Sequence, residues 1–444
     1  MVSLHFFQPG TWMKAGFLPV MLVSVVVLLA VVLRRSPGLR TIWLLVGLSA
    51  VLASLRAYLT SSSIDFQVFY HAGLDTLQGR NPYLATHPGV MPFLYPPNVL
   101  PLFCGLASLD YQTSRAIWIG LNVAFSLSLA PLAWIALGMQ DPSWPSLRPE
   151  VRGALAAFVP MTTAAALTID VGQLSLWTAV AAFLALAAQG LRRPVIAGLC
   201  LSLALFKATT AIPLFVLFMR RSDRASWGVL VALSLFLSLI PRPSTNPIED
   251  LKTASKRIAE NARAGDINDY SLANEYSYSI IGIDHTLSRL GLGHRRTVGL
   301  MQLGILAMIC CWLAWEVLWA RNLGRSVHCS LVAIVAVLFF YHRLYDTVLL
   351  VLPLTYAIGR ADSTRGAIRL RYLAAILLLM VPLSASSTVM KEIHSKIKMI
   401  PLFDAFYERL VLTLPTWSIL ASGAILVWAS YAELKNLSAE FHGG

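Results

Sequence analysis

Ionisable side chains are scarce in this chain, so those at the ends of apolar runs stand out. Asp65 opens "DFQVFYHAGLDTLQGRNPYL", just past an apolar run near 41–59. Lys207 interrupts "LALFKATTAIPLF", and "LTIDVGQLSLW" sets Asp170, Gly172 and Gln173 between two apolar runs. "FFYHRLYDTVLLVLP" gathers His342, Arg343, Tyr345 and Asp346 at another boundary, with His342 and Asp346 four apart and expected on one helix face. A carboxylate can take a proton, lysine or arginine can hold an anion, and an ionisable group amid apolar helix marks a candidate site. Each also has a plain structural reading. Asp65 could be the N-cap of the helix that follows it. Lys207, Arg56 and Arg115 could snorkel to the headgroups. Gln173 could cap a turn, and the 342–346 group could be an aromatic and basic belt with a local ion pair. Asn274, in "YSLANEYSYSIIGID", could be simply solvated, and His285 and His294 read as surface loop residues.

The elements that must position these groups are membrane helices. Of 444 residues 57% are hydrophobic and only 13% charged, about half the charge of an ordinary soluble domain. The net charge of +13 sits mostly in arginines of short loops between apolar runs, which is a topology signal and not a nucleic-acid face. The five cysteines form no C-x-x-C pair, and the histidines show no metal spacing. The first apolar run is followed, not preceded, by arginines, so it reads as a span and not a signal peptide.

Apolar runs near 11–33, 41–59, 113–138, 151–169, 173–189, 195–206, 208–219, 225–240, 297–319, 326–341, 344–359, 372–390 and 411–432 predict an all-α polytopic protein, one domain over 1–444, with about 13 transmembrane helices. The pieces 195–206 and 208–219 are short and predict a shallow hairpin with Lys207 at its turn. With alternating spans, the arginines near 34–40, 148–152, 192–193, 220–224, 321–325 and 360–371 share one side, which is then cytoplasmic. The longer segments 60–112, 241–296 and 391–410 fall outside. Segment 66–78 has helical spacing, with Phe66, Phe69, Tyr70, Leu74 and Leu77 opposite Gln67, His71, Asp75 and Gln78. Gly79 and Pro82 stop it, and 93–109 reads as a second interfacial or re-entrant helix. Asp65, Asp170–Gln173, Lys207 and His342–Asp346 then all lie on the outer side and could surround one cavity.

"DFQVFYHAGLDTLQGRNPY", "FLYPP", "VGQLSLW" and "AGLCLSLALFKATTAIPL", in this order, resemble glycosyltransferase family 87 over roughly residues 60–360. The resemblance implies a GT-C membrane glycosyltransferase, typified by polyprenol-phosphate-mannose-dependent α-1,2-mannosyltransferases, in a bacterial plasma membrane with its site on the periplasmic or extracellular face. It maps the catalytic aspartate onto Asp65 and the family lysine onto Lys207, where the usual following proline is Ala208. An Asn-Gln-Ser motif becomes Asn274-Glu275-Tyr276, and "YHRLYD" stands where a W-x-H-H motif is usual. It implies a polyprenyl-phosphate sugar donor, with mannose the implied sugar, and a glycolipid or polysaccharide acceptor. No cofactor or metal is implied, and no D-x-D pair occurs.

The chemistry fits such a donor. A departing lipid phosphate is already a stable anion and needs cations more than a proton, so one carboxylate can suffice as base on the acceptor hydroxyl. Asp65 is then the base and Lys207 a phosphate or donor contact. His342, Arg343 and Asp346 lie near the sugar or phosphate, and Gln173, Asn274 and Tyr95 complete the donor-binding set. In-line attack would invert the anomeric carbon. The competing readings are a lipid or solute transporter, using the same charges as a path, and a non-catalytic cell-envelope scaffold.

Overall fold

The structure, a computed structural model, describes residues 11–33, 38–60, 62–240, 247–261, 263, 266, 269, 274, 279–292, 295–316, 323–340, 342–385 and 407–442. Its regular structure is helical, save one two-residue strand pair among the described residues. α1 (Thr11–Val32) and α2 (Leu39–Thr60) lead to α3 (Ile64–Leu77) and α4 (Leu100–Ala107), which pack on each other beside the bundle. There follow α5 (Tyr111–Gln140), α6 (Pro149–Met161), α7 (Thr163–Val171), α8 (Ser175–Gly190), α9 (Pro194–Ala204), α10 (Ala208–Ala211) and α11 (Arg224–Leu239). The second half holds α12 (Pro247–Asn261), β1 (Ile280–Ile281), α13 (Ile283–Arg289), α14 (Arg295–Trp315), α15 (Arg325–Phe339) and β2 (His342–Arg343). It closes with α16 (Val351–Ser363), α17 (Gly366–Ser384) and α18 (Leu414–His442).

By length and apolar composition, 6 helices among the described residues can cross a membrane, and a bent pair, α6 with α7 at 46°, makes a seventh. The expected count of about 13 also took in apolar helices too short for that test, such as α8, α11 and α15. Residues 194–218 pass it as one helix but do not run straight across. Arg193 N donates to Ala188 O (2.8 Å), which puts the start of α9 beside the end of α8. Gln189 Nε2 donates to Leu217 O (2.8 Å) and Asp223 Oδ2 (3.0 Å), which puts the far end there too. The segment therefore turns back on itself, as a hairpin must, with Lys207 at the break between its two limbs.

The bundle has two distinct polar ends. At one, Arg148 pairs with Asp362 (2.9 Å), and Arg360 reaches Glu433 (3.3 Å) and Asp141 (3.4 Å). Gln189 and Asp223 lie at this end as well. At the other, Arg56 at the end of α2 forms an ion pair with Asp170 at the end of α7, and Ser63 N donates to Asp170 O (2.8 Å). Arg115 Nε donates to Ser63 Oγ (2.9 Å). Arg56 and Arg115 therefore brace the α2–α3 corner and are not free snorkelling groups.

The segment 60–112 forms two short helices and no full crossing. Pro101 sits in the first turn of α4, where its missing N–H costs nothing. α3 meets α4 closely at Gly73: a Cβ there would lie 2.3 Å from Phe103 O. The aromatic spacing of α3 packs as expected, with Phe69 stacked on Phe103 (centroids 4.5 Å) and Phe66 on Trp118 (6.0 Å). Its polar face does not. Asp75 is buried, with Arg80 Nη2 at 2.6 Å and His87 Nε2 at 2.8 Å, while Leu77 is exposed. The expected N-cap also differs: α3 begins at Ile64, its cap is Ser63 in a left-handed conformation (φ 49), and Asp65 lies in the first turn.

Segment 241–296 contributes α12, β1 and α13. His285, expected at the surface, is fully buried, and its Nε2 accepts from Arg289 Nε (2.7 Å). His294, Glu275, Tyr276 and residues 391–406 lie outside the described residues.

Candidate active site

The polar groups at the Asp65 end converge from five elements. Gly172 ends α7 with φ +76, and a Cβ on it would lie 2.6 Å from Phe66 Cβ. Glycine is needed there both for the left-handed turn and for the approach of α3. Trp118 Nε1 donates to Gly172 O (2.9 Å) and pins the turn. The turn delivers Gln173, buried, to Asp65: Gln173 Nε2 donates to Asp65 Oδ2 at 2.9 Å. Two donors fix which way that amide faces. Tyr95 OH and Leu174 N each donate to Gln173 Oε1 at 2.9 Å, so the carbonyl side is taken and the NH2 side must face the carboxylate. Tyr95 is itself held where Tyr83 OH donates to its carbonyl (2.8 Å) and its ring edge meets Phe69.

A second set of groups is built on the hairpin turn. Lys207, buried, forms an ion pair with the buried Asp346 and donates to Ser175 Oγ at 3.0 Å. Its ammonium lies 4.7 Å from the centre of the Tyr345 ring, and Gln173 Nε2 reaches Tyr345 OH at 3.4 Å. Tyr345 thus stands between the lysine and the Gln173–Asp65 pair. Residues 342–346 do not form one helix face. His342 and Arg343 are extended, pairing with Ile281 and Ile280, and a 3-10 turn begins at Leu344. That break turns Asp346 inward, where its Oδ2 accepts from Arg343 N (3.3 Å). Arg343 Nη1 reaches Ser279 Oγ (3.3 Å).

Burial pushes the Asp65 carboxyl up to about 6 from its usual 3.8. The charges of Arg343 and Lys207 and the Gln173 hydrogen bond oppose this, and Asp346 adds slightly to it. The result is a carboxylate still ionised at neutral pH yet more basic than an exposed aspartate, which is what proton abstraction from a hydroxyl requires.

Of the residues picked out by sequence, Asp65, Gln173, Tyr95, Lys207, Arg343 and Asp346 come together. Asp170 instead forms the brace with Arg56. Asn274 is buried, and its amide donates to Asp269 O (2.6 Å) within its own loop. His342 takes its place through backbone pairing with Ile281. Sequence reasoning passed over Ser175, and it named Tyr345 within the 342–346 group without giving it a role in the site. Both sit one or two residues from residues it chose, in "GQLSLW" and "HRLYD". Among the described residues, no three His, Cys, Asp or Glu side chains group so as to hold a metal ion.

Residues 93–340 match glycosyltransferase family 87, more than half of the 444-residue chain. The chain belongs to this family. No curated protein matches it. The family 87 match covers Tyr95, Gln173, Ser175, Lys207 and Asn274. It begins after Asp65 and ends before Arg343 and Asp346. Those three enter the site through contacts with matched residues: Asp65 through Gln173, Asp346 through Lys207 and Ser175, and Arg343 through Asp346. The family 87 chain is therefore a glycosyltransferase with an apolar helical bundle of membrane type.

Proposed function

We propose that this glycosyltransferase takes a sugar from a polyprenyl-phosphate donor and passes it to a hydroxyl group at the outer face of the membrane, with inversion. The observation that carries the reading is the pairing of one half-buried carboxylate of raised basicity with a lysine and an arginine across the Gln173–Tyr345 bridge. Asp65 takes the proton of the acceptor hydroxyl as its oxygen attacks the anomeric carbon. The carbon–oxygen bond to phosphate breaks, and the electron pair leaves with the lipid phosphate. Lys207 and Arg343 stabilise that anion by charge-assisted hydrogen bonds, for which Lys207 loosens its hold on Asp346. Gln173, fixed by Tyr95, orients the carboxylate.

The donor's isoprenoid tail lies against the apolar helices, and the site end of the bundle, opposite the arginines of the short loops, faces the periplasm or exterior. The arrangement is that of a single GT-C domain with about 13 crossings, counting the short apolar helices and the two limbs of the hairpin. Mannose is the sugar, and a glycolipid or polysaccharide of the cell envelope is the acceptor. A transporter would place such charges at the bilayer midplane, whereas these gather at one end of the bundle.

Purified protein incubated with radiolabelled polyprenyl-phosphate-mannose and a membrane extract should yield a labelled α-linked product. Movement of the label across a vesicle membrane without any new glycosidic bond would refute the reading.

A further inference from the structure

A cavity of about 370 Å³ opens between α3, the 82–93 loop and α12, a size at the small end of ligand pockets. Its wall includes none of Asp65, Gln173, Tyr95 and Lys207, so it is separate from the transferase site. α3 supplies His71 and Asp75, the loop supplies His87 and Phe93, and α12 supplies Arg257 and Glu260.

The polar groups sort into those paired with one another and those turned to the cavity. Asp75 is buried and held by Arg80 Nη2 (2.6 Å) and His87 Nε2 (2.8 Å), so it brings little net charge. Glu260 makes no ion pair or side-chain hydrogen bond among the described residues. His71 Nδ1 is buried with no hydrogen-bond partner among the described residues, and the His71 ring stacks on His87 (centroids 4.4 Å). Burial, then the neighbouring His87, hold His71 below its usual range, so at neutral pH it is an uncharged imidazole with one donor and one acceptor nitrogen. Arg257 lies one turn before Glu260 on the same side of α12. Its Nη2 donates to Leu84 O at 3.5 Å, and a guanidinium serves several acceptors at once through its five N–H groups.

This set selects a ligand that carries a cation and an anion side by side. A bare phosphate would suit Arg257 but be repelled by Glu260, and a bare amine would meet the reverse conflict. A zwitterion with a primary ammonium and a phosphate on a short link satisfies both: the ammonium donates to Glu260 and to His71, and the phosphate accepts from Arg257. A quaternary ammonium fits less well. It has no N–H to donate, and it is recognised by cages of aromatic rings, of which this wall holds one, Phe93.

The rim of the cavity shows what bears such a headgroup. On α12, Ala254 packs inward against the aromatic cluster of α3 and α4, while Ile248, Leu251 and Ile258 form an exposed stripe on another side. Leu84, beside Ala85 of the cavity wall, is exposed too, and the Arg257 bond brings its backbone to the turn of α12 that carries Ile258. An amphipathic helix beside a membrane bundle sets such a stripe among acyl chains. A headgroup in the cavity would lay its chains along these residues.

We propose that this cavity binds the headgroup of a zwitterionic aminophospholipid, with the ammonium at Glu260 and His71 and the phosphate at Arg257, and that the lipid fastens α12 and the 82–93 loop to α3. The lipid is a bound partner and not a substrate, so the inference stands apart from the role given to Asp65.

The test uses the full-length protein, freed of lipid in detergent, and a phosphatidylethanolamine with a photoreactive diazirine near the top of one acyl chain. Saturable labelling of peptides within 80–93 and 248–260 is expected. Unlabelled phosphatidylethanolamine should compete at least about tenfold better than phosphatidylcholine or phosphatidylglycerol with the same chains. Glu260→Gln keeps the shape of the side chain. It should weaken competition by phosphatidylethanolamine about tenfold and leave that by phosphatidylglycerol no weaker, whereas Arg257→Gln should weaken both. Soluble O-phosphoethanolamine should compete about a hundredfold more weakly than the lipid. Equal competition by the three lipids, a preference for phosphatidylcholine or phosphatidylglycerol, labels that map elsewhere, or wild-type selectivity in both variants overturns the site. Competition by O-phosphoethanolamine as strong as that of the lipid overturns the lipid as its occupant.

Discussion

Replacing Asp65 by asparagine should make the protein more stable at neutral pH. Burial raises the carboxyl from 3.8 to about 6, so between those values the folded chain keeps a proton that the unfolded chain has released. The stability contributed by the protonated form is complete below 3.8 and is lost as pH rises through about 6. A shift of about two units at ~1.36 kcal/mol each sets a ceiling on the order of 3 kcal/mol for that loss. Solvent still reaches part of Asp65, which lowers the expected effect to ~1–3 kcal/mol. Asparagine has the shape of the protonated acid and carries no such loss. Thermal unfolding of both proteins in detergent, from about pH 4.5 to about pH 8, should show the variant gaining on the wild type through pH 6 and the two curves converging at the acid end. A gap independent of pH, or a variant less stable at neutral pH, would refute the reasoning that the carboxylate is held charged against a burial penalty.

Lys207→Met should destabilise the fold by ~3–5 kcal/mol, because it removes the buried cation that forms an ion pair with the buried Asp346. Adding Asp346→Asn should restore most of that stability, measured by thermal unfolding, without restoring transfer. Tyr95→Phe removes the hydroxyl that fixes the Gln173 amide. It should slow transfer by about fivefold to tenfold, the kinetic equivalent of ~1 to 1.4 kcal/mol, with the donor KM unchanged. Gly73→Ala should lower the Tm, at a cost of ~1–3 kcal/mol, since its methyl group would meet the backbone of Phe103.

The parts of this molecule that follow from local spacing were legible in its sequence. The apolar runs gave the helices, the shortness of the pieces flanking Lys207 gave the hairpin, and the aromatic spacing of α3 gave its packed face. Asp75 was misread because helical periodicity assigns a carboxylate to the solvent face unless a partner is visible. Its partners are Arg80, beyond the helix end, and His87, 12 residues on across a turn. The same limit hid the Arg56–Asp170 pair, whose members stand 114 residues apart. The break after Arg343 was also out of reach, because it depends on pairing with Ile280 in a distant loop. Ser175 carries no unusual local signal, and Tyr345 reads only as one of a boundary group; the convergence of three chain segments on Lys207 gives both a role.

The central claim is that Asp65 removes the acceptor proton while Lys207 and Arg343 receive the phosphate. A single-turnover assay with purified Asp65→Asn and labelled polyprenyl-phosphate sugar, run beside the wild type with donor binding measured on the same samples, tests it most directly. The account predicts undiminished donor binding and a transfer rate lower by about two to four orders of magnitude, with the wild-type rate rising through about pH 6. Transfer by the variant at near wild-type rate would contradict it.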